Sequence, residues 1–195
     1  MSNAALDQAM EVLFANARSH KQWTDEPVSE NDLQALYNIM KWGPTSTNCC
    51  PIRIIFATSA AGKEKIAGIV SDNNKDKVRT APVCAILAYD TEFHEHMDKL
   101  FKPGFKDMYA GNDALREITA FRNSTLQGAY FMIAARAVGL DCGPMSGFDN
   151  AACDQAFFPD GRLKSNFVCA LGHGDPATLA PREYRFEFDE VCSMI

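Results

Sequence analysis

The stretch from about Ala114 to Val138 constrains this chain most, because it reads as one long helix with little polarity in its second half. The run Gly128-Ala-Tyr-Phe-Met-Ile-Ala-Ala135 carries apolar side chains on every side of a 3.6-residue turn. Gly139 then supplies a residue able to enter the left-handed region and stop the helix. A helix of this kind must be wrapped by protein all round. In a chain of 195 residues, that requirement predicts one domain over 1–195 and hints that a second subunit covers part of the helix.

Three apolar runs read as strands: Ile52 to Ala57 after Pro51, Val83 to Tyr89 after Pro82, and Phe167 to Leu171 before Gly172. The second and third lack alternation, which predicts a sheet covered on both faces by helices. Two amphipathic helices open the chain. Leu6, Met10, Leu13 and Phe14 mark the first; Leu33, Leu36, Tyr37 and Met40 mark the second, behind an N-cap signal at Ser29 with Asp32 three residues on. Residues 92–112 are more polar, carry aromatics and are broken by Pro103 and Gly104, which fits a surface excursion or lid.

Composition excludes several functional classes. A formal net charge of −6 argues against nucleic-acid binding, which needs clustered cations. No uncharged apolar run approaches the roughly 18 residues that span a bilayer, and the N-terminus lacks a basic start followed by an apolar stretch. Seven cysteines, with no Cys-x-x-Cys pair, fit reduced thiols in the cytoplasm.

Familiar catalytic motifs are missing. There is no Gly-x-Gly-x-x-Gly after a strand and no Walker loop. Gly143-Pro144-Met145-Ser146-Gly147 places Met where a nucleophile elbow needs Ser. His94 and His96, two residues apart among Glu92, Glu95 and Asp98, read as a solvated face rather than a metal site. The vicinal pair Cys49-Cys50 reads as packing rather than a redox couple, and no metal site is expected.

What remains is a set of scattered segments suited to a phosphorylated planar heterocycle. Arg18 and Lys21, with Ser19 between them, offer cation-plus-hydroxyl donors for phosphate. Gly43-Pro44-Thr45-Ser46-Thr47-Asn48 is dense in small hydrogen-bonding side chains. Asn74 and Lys77 lie one helical turn apart, which puts an amide and a cation on one side. The glycines of the 143–147 loop permit close backbone approach to a ligand, and Arg182 and Arg185 add charge from a Pro-bounded C-terminal segment. Read singly, each of these has a bland alternative: a solvated turn, a capping loop or a surface arginine.

In this order the segments resemble the nitroreductase family of FMN enzymes over nearly the whole chain. The runs Arg18-Ser19-His20 with Trp23, Lys41-Trp42-Gly43-Pro44-Thr45-Ser46, Phe121-Arg122-Asn123-Ser124 and Gly143 to Asp149 resemble most the malonic semialdehyde reductase branch of bacterial pyrimidine utilisation. The resemblance implies an α+β nitroreductase-like fold: a central mixed β-sheet flanked by helices, a long buried helix and an intertwined homodimer.

It also implies roles. Arg18, Ser19, His20 and Lys21 would meet the FMN phosphate and ribityl chain, helped by Arg182 and Arg185, while Asn74 and Lys77 would serve the pyrimidine side of the ring. Pro44, Thr45, Ser46 and Asn48 would reach the cofactor from the other subunit. Pro144, Met145, Ser146 and Gly147 would line the ring, with a backbone N–H at Ser146 or Gly147 meeting flavin N5 or O4. The expected reaction is a ping-pong hydride transfer from NADPH or NADH through flavin N5 to malonic semialdehyde, with no side chain assigned as catalytic. Alternatives are a nitro, quinone or flavin reductase and a non-catalytic flavin-binding protein. Two positions depart from the broader family: Ser146, where many members carry Glu, and Ala17, where many carry a second basic residue.

Overall fold

All eight residues from Val83 to Asp90 are buried, and the strand that they form is paired along both edges. The structure, a computed structural model, describes residues 3–195. Four strands, β1 (Ile52–Ala57), β2 (Val83–Asp90), β3 (Asp141–Met145) and β4 (Leu163–Gly172), form one sheet in the order β1-β2-β4-β3. All three pairings are antiparallel. Where the resemblance implies a mixed sheet, parallel pairing among the described residues is confined to an isolated bridge between Ser19 and Cys142. The reason lies in the connections: each of these strands runs back along its neighbour, so none needs a parallel crossover.

The helices are α1 (Asn3–Met10), continued by a π turn at Glu11–Ala15, α2 (Glu30–Met40), α3 (Ala60–Ala67), α4 (Asp72–Thr80), α5 (Met97–Leu100), α6 (Phe105–Ala110), α7 (Asp113–Ala137), α8 (Asn150–Phe157) and α9 (Phe188–Val191). Ser29 caps α2 through a reciprocal pair: its hydroxyl accepts from the Asp32 N–H, and its own N–H donates to the Asp32 carboxylate. α7 is followed by Gly139 at φ +85°, the left-handed stop expected from the sequence.

The period-2 pleat splits the centre of the sheet into two cores. Ala85 and Leu87 of β2, with Cys169 and Leu171 of β4, face Leu36 and Met40 of α2 and Phe131, Ala134 and Ala135 of α7. Cys84, Ile86 and Ala88, with Val168 and Ala170, face Ile66, Val78 and Cys153 from α3, α4 and α8. Two-sided coverage is why these strands show no alternation in the sequence.

Its own chain covers α7 along one side: Asn123, Gln127, Phe131 and Ala134 point inward, whereas Ile118, Phe121, Leu126 and Tyr130 remain exposed, the part for which the sequence suggests a second subunit. Two expectations for the 92–112 segment need correction. The residues 92–112 form a turn of 3-10 helix, α5 and α6, with their own small core of Phe93, Met97 and Tyr109 against Ala120 of α7. His94 belongs to this interior rather than to a solvated face, 6% exposed and 3.6 Å from Glu92.

Candidate functional site

Three segments far apart in sequence converge at the end of β3. The chain from Ser19 to Trp23 runs beside it: the His20 N–H donates to the Cys142 carbonyl at 2.9 Å, and Trp23 bridges to Gly174. The Trp23 indole donates to the Lys77 carbonyl at 3.2 Å, which ties this segment to α4. The turn before α4 is locked to the loop after β3, since the Ser71 N–H donates to the Gly147 carbonyl at 2.9 Å and the Asp149 N–H to the Ile69 carbonyl at 2.9 Å. Asn74 and Lys77 therefore face the 143–147 loop. The Asn74 amide donates to Ser71 Oγ at 3.1 Å and reaches the Gly147 carbonyl at 3.5 Å, and Lys77 Nζ lies 3.5 Å from the Pro144 carbonyl.

Crowding explains the glycines. A Cβ at Gly143 would stand 2.5 Å from the His20 carbonyl oxygen and 3.0 Å from Lys77 Cδ, and one at Gly147 would stand 3.0 Å from Ser71 Oγ. At Gly143 no side chain can enter without moving backbone or the lysine, whereas at Gly147 the Ser71 and Asn74 side chains must give way.

The electrostatics of this cluster favour a negatively charged ligand. Lys77 is 7% exposed and has no carboxylate partner among the described residues. Burial holds its ammonium below the usual lysine value, and the Lys21 cation adds to the depression. His20 is equally buried, with Nε2 3.5 Å from Asp141 and no hydrogen bond to Nδ1. The backbone N–H groups of Ser146 and Gly147 make no hydrogen bond within the described chain. His20 Nδ1 is packed against Gly174, where a Cβ would stand 1.9 Å from it. The buried cation and the two free N–H groups suit a ligand bearing both negative charge and acceptor atoms.

Arg18 and Arg182 join the cluster's outer edge by crossed contacts. Arg18 donates to the Ala180 carbonyl, while Arg182 donates to the carbonyls of Ala15 and Ala17. Arg185 does not join them: it bonds the carbonyls of its own neighbours Glu183 and Tyr184.

Pro44, Thr45, Ser46 and Asn48 form a separate place. Besides the hydrogen bonds within the 45–50 turn itself, this loop bonds to α7 and the 92–112 segment: Ser46 N–H to Asn123 Oδ1 at 2.8 Å, Asn48 Nδ2 to the Leu100 carbonyl at 2.7 Å, and Thr47 Oγ1 to Tyr109 OH at 3.4 Å. The loop is strained, with Thr47 at φ +50°, Asn48 at +54° and Cys50 at +39°. Left-handed non-glycine residues cost on the order of 1 kcal/mol or more each and persist where surroundings over-determine them, often at ligand sites. Cys49 is buried and its thiol is pushed up to about 11 by that burial, which suits packing.

A model of the nitroreductase family matches residues 15–173, a span that takes in the turn at Arg18, the strained loop, Lys77 and the 143–147 loop. The chain belongs to the nitroreductase family. It is 50% identical over 190 residues, 95% of this chain and 97% of the relative, to a Ralstonia pickettii protein named "Putative NADH dehydrogenase/NAD(P)H nitroreductase HadB". A Polynucleobacter asymbioticus protein of similar name is 47% identical over the full length of both chains. Among solved structures, the Bacillus subtilis nitroreductase-fold protein ydfN superposes with a TM-score of 0.86 at 19% identity, over 98% of this chain and 99% of that one. An Exiguobacterium sibiricum structure described as a nitroreductase in complex with FMN gives 0.86 at 19% identity, over 95% and 96%. These structures share the fold.

Against this family background, Ser71 and Asp141 are members of the cluster that sequence reasoning did not select. Ser71 precedes α4 and bonds both Asn74 and the Gly147 carbonyl; Asp141 opens β3, faces His20 and accepts from the Gly174 N–H at 2.9 Å. Their one visible signal is position, a serine before a helix and an aspartate just past a Gly139 stop. No group of three or more His, Cys, Asp or Glu among the described residues is arranged to hold a metal, and no helix among them is long and apolar enough to cross a membrane.

Proposed function

We propose that this chain is an FMN-dependent NAD(P)H oxidoreductase working as a homodimer in the cytoplasm, with malonic semialdehyde as acceptor. The observation that carries the cofactor reading is Lys77, a buried cation lacking a carboxylate, aimed at a loop with two free N–H groups. A bound flavin supplies a ring that accepts hydride from a nicotinamide and passes it on. Lys77 and Asn74 hold its pyrimidine side, and a cation there favours the negatively charged reduced form. Arg18, Ser19, Lys21 and Arg182 hold the phosphate, with His20 filling the space behind them. Pro144, Met145, Ser146 and Gly147 orient the ring. Arg185 reaches the phosphate only if its present carbonyl contacts open.

The dimer reading rests on exposed apolar surface. Leu6, Met10, Phe14, Ile118, Phe121 and Leu126 are each about half exposed, and Tyr184, Phe186 and Phe188 of the C-terminal tail more so. Singly exposed apolars are ordinary, but faces on two helices together with a tail of three aromatics match a subunit interface. In such a dimer the strained Pro44–Asn48 loop of one subunit completes the flavin site of the other. The seven cysteines are free thiols, which supports the cytoplasmic location.

The acceptor rests on the sequence runs at 18–23, 41–46, 121–124 and 143–149. A second reading, a nitro or quinone reductase, draws on the names of the relatives. The test is an absorption spectrum of the FMN-loaded protein, anaerobic titration with NADH and NADPH, then turnover with malonic semialdehyde, a quinone and a nitroaromatic at matched donor. Bleaching by neither nicotinamide leaves only flavin binding. A semialdehyde rate no better than the quinone's removes that acceptor and leaves the second reading.

A further inference from the structure

Exposure alternates along the turn that leads into Trp23: Ser19 and Lys21 are exposed, while His20 between them is 5% exposed. In an extended segment this alternation sends the two flanking side chains outward and the middle one inward. His20 is wedged between two glycines. A Cβ at Gly143 would stand 2.5 Å from its carbonyl oxygen, and one at Gly174 would stand 1.9 Å from its Nδ1. Position 174 leaves room for the imidazole only because it lacks a side chain. Asp141 fixes both sides of that gap. One of its carboxylate oxygens accepts from the Gly174 N–H at 2.9 Å, and the other lies 3.5 Å from His20 Nε2. Backbone bonds close the clasp, since the His20 N–H donates to the Cys142 carbonyl at 2.9 Å and the Asp175 N–H to the Gln22 carbonyl at 3.1 Å.

We infer that Asp141 is a positioning residue for the cofactor phosphate: it holds the His20 imidazole in its slot, and the anchored His20 in turn aims Ser19 and Lys21 at the phosphate. The inference rests on the flavin reading above and deepens it. A neutral imidazole with its proton on Nε2 donates toward the carboxylate and leaves Nδ1, which has no hydrogen-bond partner, without a proton to satisfy. An amide at position 141 can keep the Gly174 contact through its oxygen, but it then turns its own N–H toward Nε2. That drives the imidazole proton to Nδ1, where a buried donor meets no acceptor. Asp141→Asn therefore breaks the clasp at His20 while keeping side-chain size and the backbone contact. Coulomb's law alone predicts the opposite outcome, because removing a carboxylate beside a phosphate site should tighten phosphate binding. The sign of the change separates positioning from simple charge.

The experiment compares FMN with riboflavin, which has the same ring and no phosphate, by fluorescence titration of the full chain stripped of flavin. The parent should bind FMN at least about tenfold more tightly than riboflavin, because only FMN meets the cations and hydroxyl of the turn. Asp141→Asn should weaken FMN about tenfold, the worth of one charge-assisted contact, and leave riboflavin within about twofold. His20→Ala should show the same selective loss. Adding Asp141→Asn to it should change FMN affinity by less than about twofold, because the effect runs through the imidazole. Denaturant midpoints report whether each variant folds, and Asp141→Asn, nearly unchanged in size, answers alone if His20→Ala does not. Unchanged or tighter FMN binding by Asp141→Asn overturns the inference. So does an equal loss for both flavins, which marks a general defect, or a further large loss in the His20→Ala background. A parent that binds both flavins alike keeps the flavin reading and removes the phosphate turn together with this inference; a parent that binds neither removes the flavin reading as well.

Discussion

The ammonium of Lys77 lies 3.5 Å from the carbonyl oxygen of Pro144, a neutral acceptor standing where a buried lysine ordinarily has a carboxylate. Its pKa is lowered by burial, so between the depressed native value and 10.5 the unfolded chain binds more protons than the folded one. The contribution of Lys77 to stability without cofactor therefore rises with pH through that window, opposing the loss contributed by the buried thiols, whose raised pKa values act the other way. Lys77→Met should remove that contribution, so that the variant loses more stability than the parent between pH 7.5 and pH 10. It should cost little stability at pH 7.5, because an apolar replacement of similar volume removes an uncompensated charge. The same variant should weaken FMN binding at least tenfold, the worth of one charge-assisted contact. Denaturant melts at pH 7.5 and pH 10, with a flavin fluorescence titration, check both parts.

Gly143→Ala tests the crowding at the end of β3. The new Cβ meets the His20 carbonyl oxygen, a backbone atom that cannot swing aside. Overpacking of this kind costs about 1–3 kcal/mol, and here it also displaces His20 and Lys77. We expect a lower denaturation midpoint together with weakened flavin binding; an unchanged midpoint would contradict the contact.

Asp90 joins two strand ends to the 92–112 segment. Its carboxylate accepts from Arg53 at 2.7 Å, from Arg162 at 3.0 and 3.1 Å and from the Glu92 N–H at 2.9 Å. Burial disfavours the charge, but the hydrogen bond from Arg162, that from Glu92 and the two cations outweigh it and keep the pKa below 3.8. The stabilisation is therefore complete above pH 3.8 and lost as pH falls below it. Asp90→Asn should cost about 2–3 kcal/mol at pH 7, less than a fully buried pair because both arginines are partly exposed. Its acid unfolding curve should be flatter than the parent's below pH 3.8.

Thiol titration separates the cysteines. Cys192 is exposed and Cys50 half-buried, whereas Cys49, Cys84, Cys142, Cys153 and Cys169 are buried. Burial pushes the thiols of Cys49 and Cys153 up to about 11 and that of Cys84 to about 12, which leaves almost no thiolate at pH 8. With an aromatic disulfide reagent, two thiols should react in the native protein and five more only after denaturation. Fast reaction of Cys49 would refute the packed reading of the Cys49-Cys50 pair.

Much of the fold was legible because burial writes itself into residue type. Val83 to Tyr89 is apolar throughout since both its faces are covered, and Ser29 with Asp32 announced the start of α2 by the chemistry of capping. Other parts left no such trace. The first residues of β4, Leu163 to Asn166, are largely polar because they pair at the edge of the core, and β3 hides behind Gly143 and Pro144. Strand direction depends on connections that no single residue reports, hence the difference over the mixed sheet. For α7, apolar character told that Phe121 and Tyr130 avoid water but not whether their own chain covers them. At the site, Lys77 and Asn74 were visible through helical spacing. Ser71 and Asp141 act through backbone groups brought close only by folding, and a lone serine or aspartate carries no periodic signal. His94 was misread because three acidic neighbours suggested solvent, while the aromatic core beneath was invisible.

The crossed contacts of Arg18 with Ala180 and of Arg182 with Ala15 and Ala17 buckle together two segments far apart in sequence. A protease cut after Leu179, or a substitution at Arg182, would pull on the same turn that carries Ser19 and His20. The 180–182 segment is thus a poor handle for engineering, and changes made there should be assayed as changes to the binding turn.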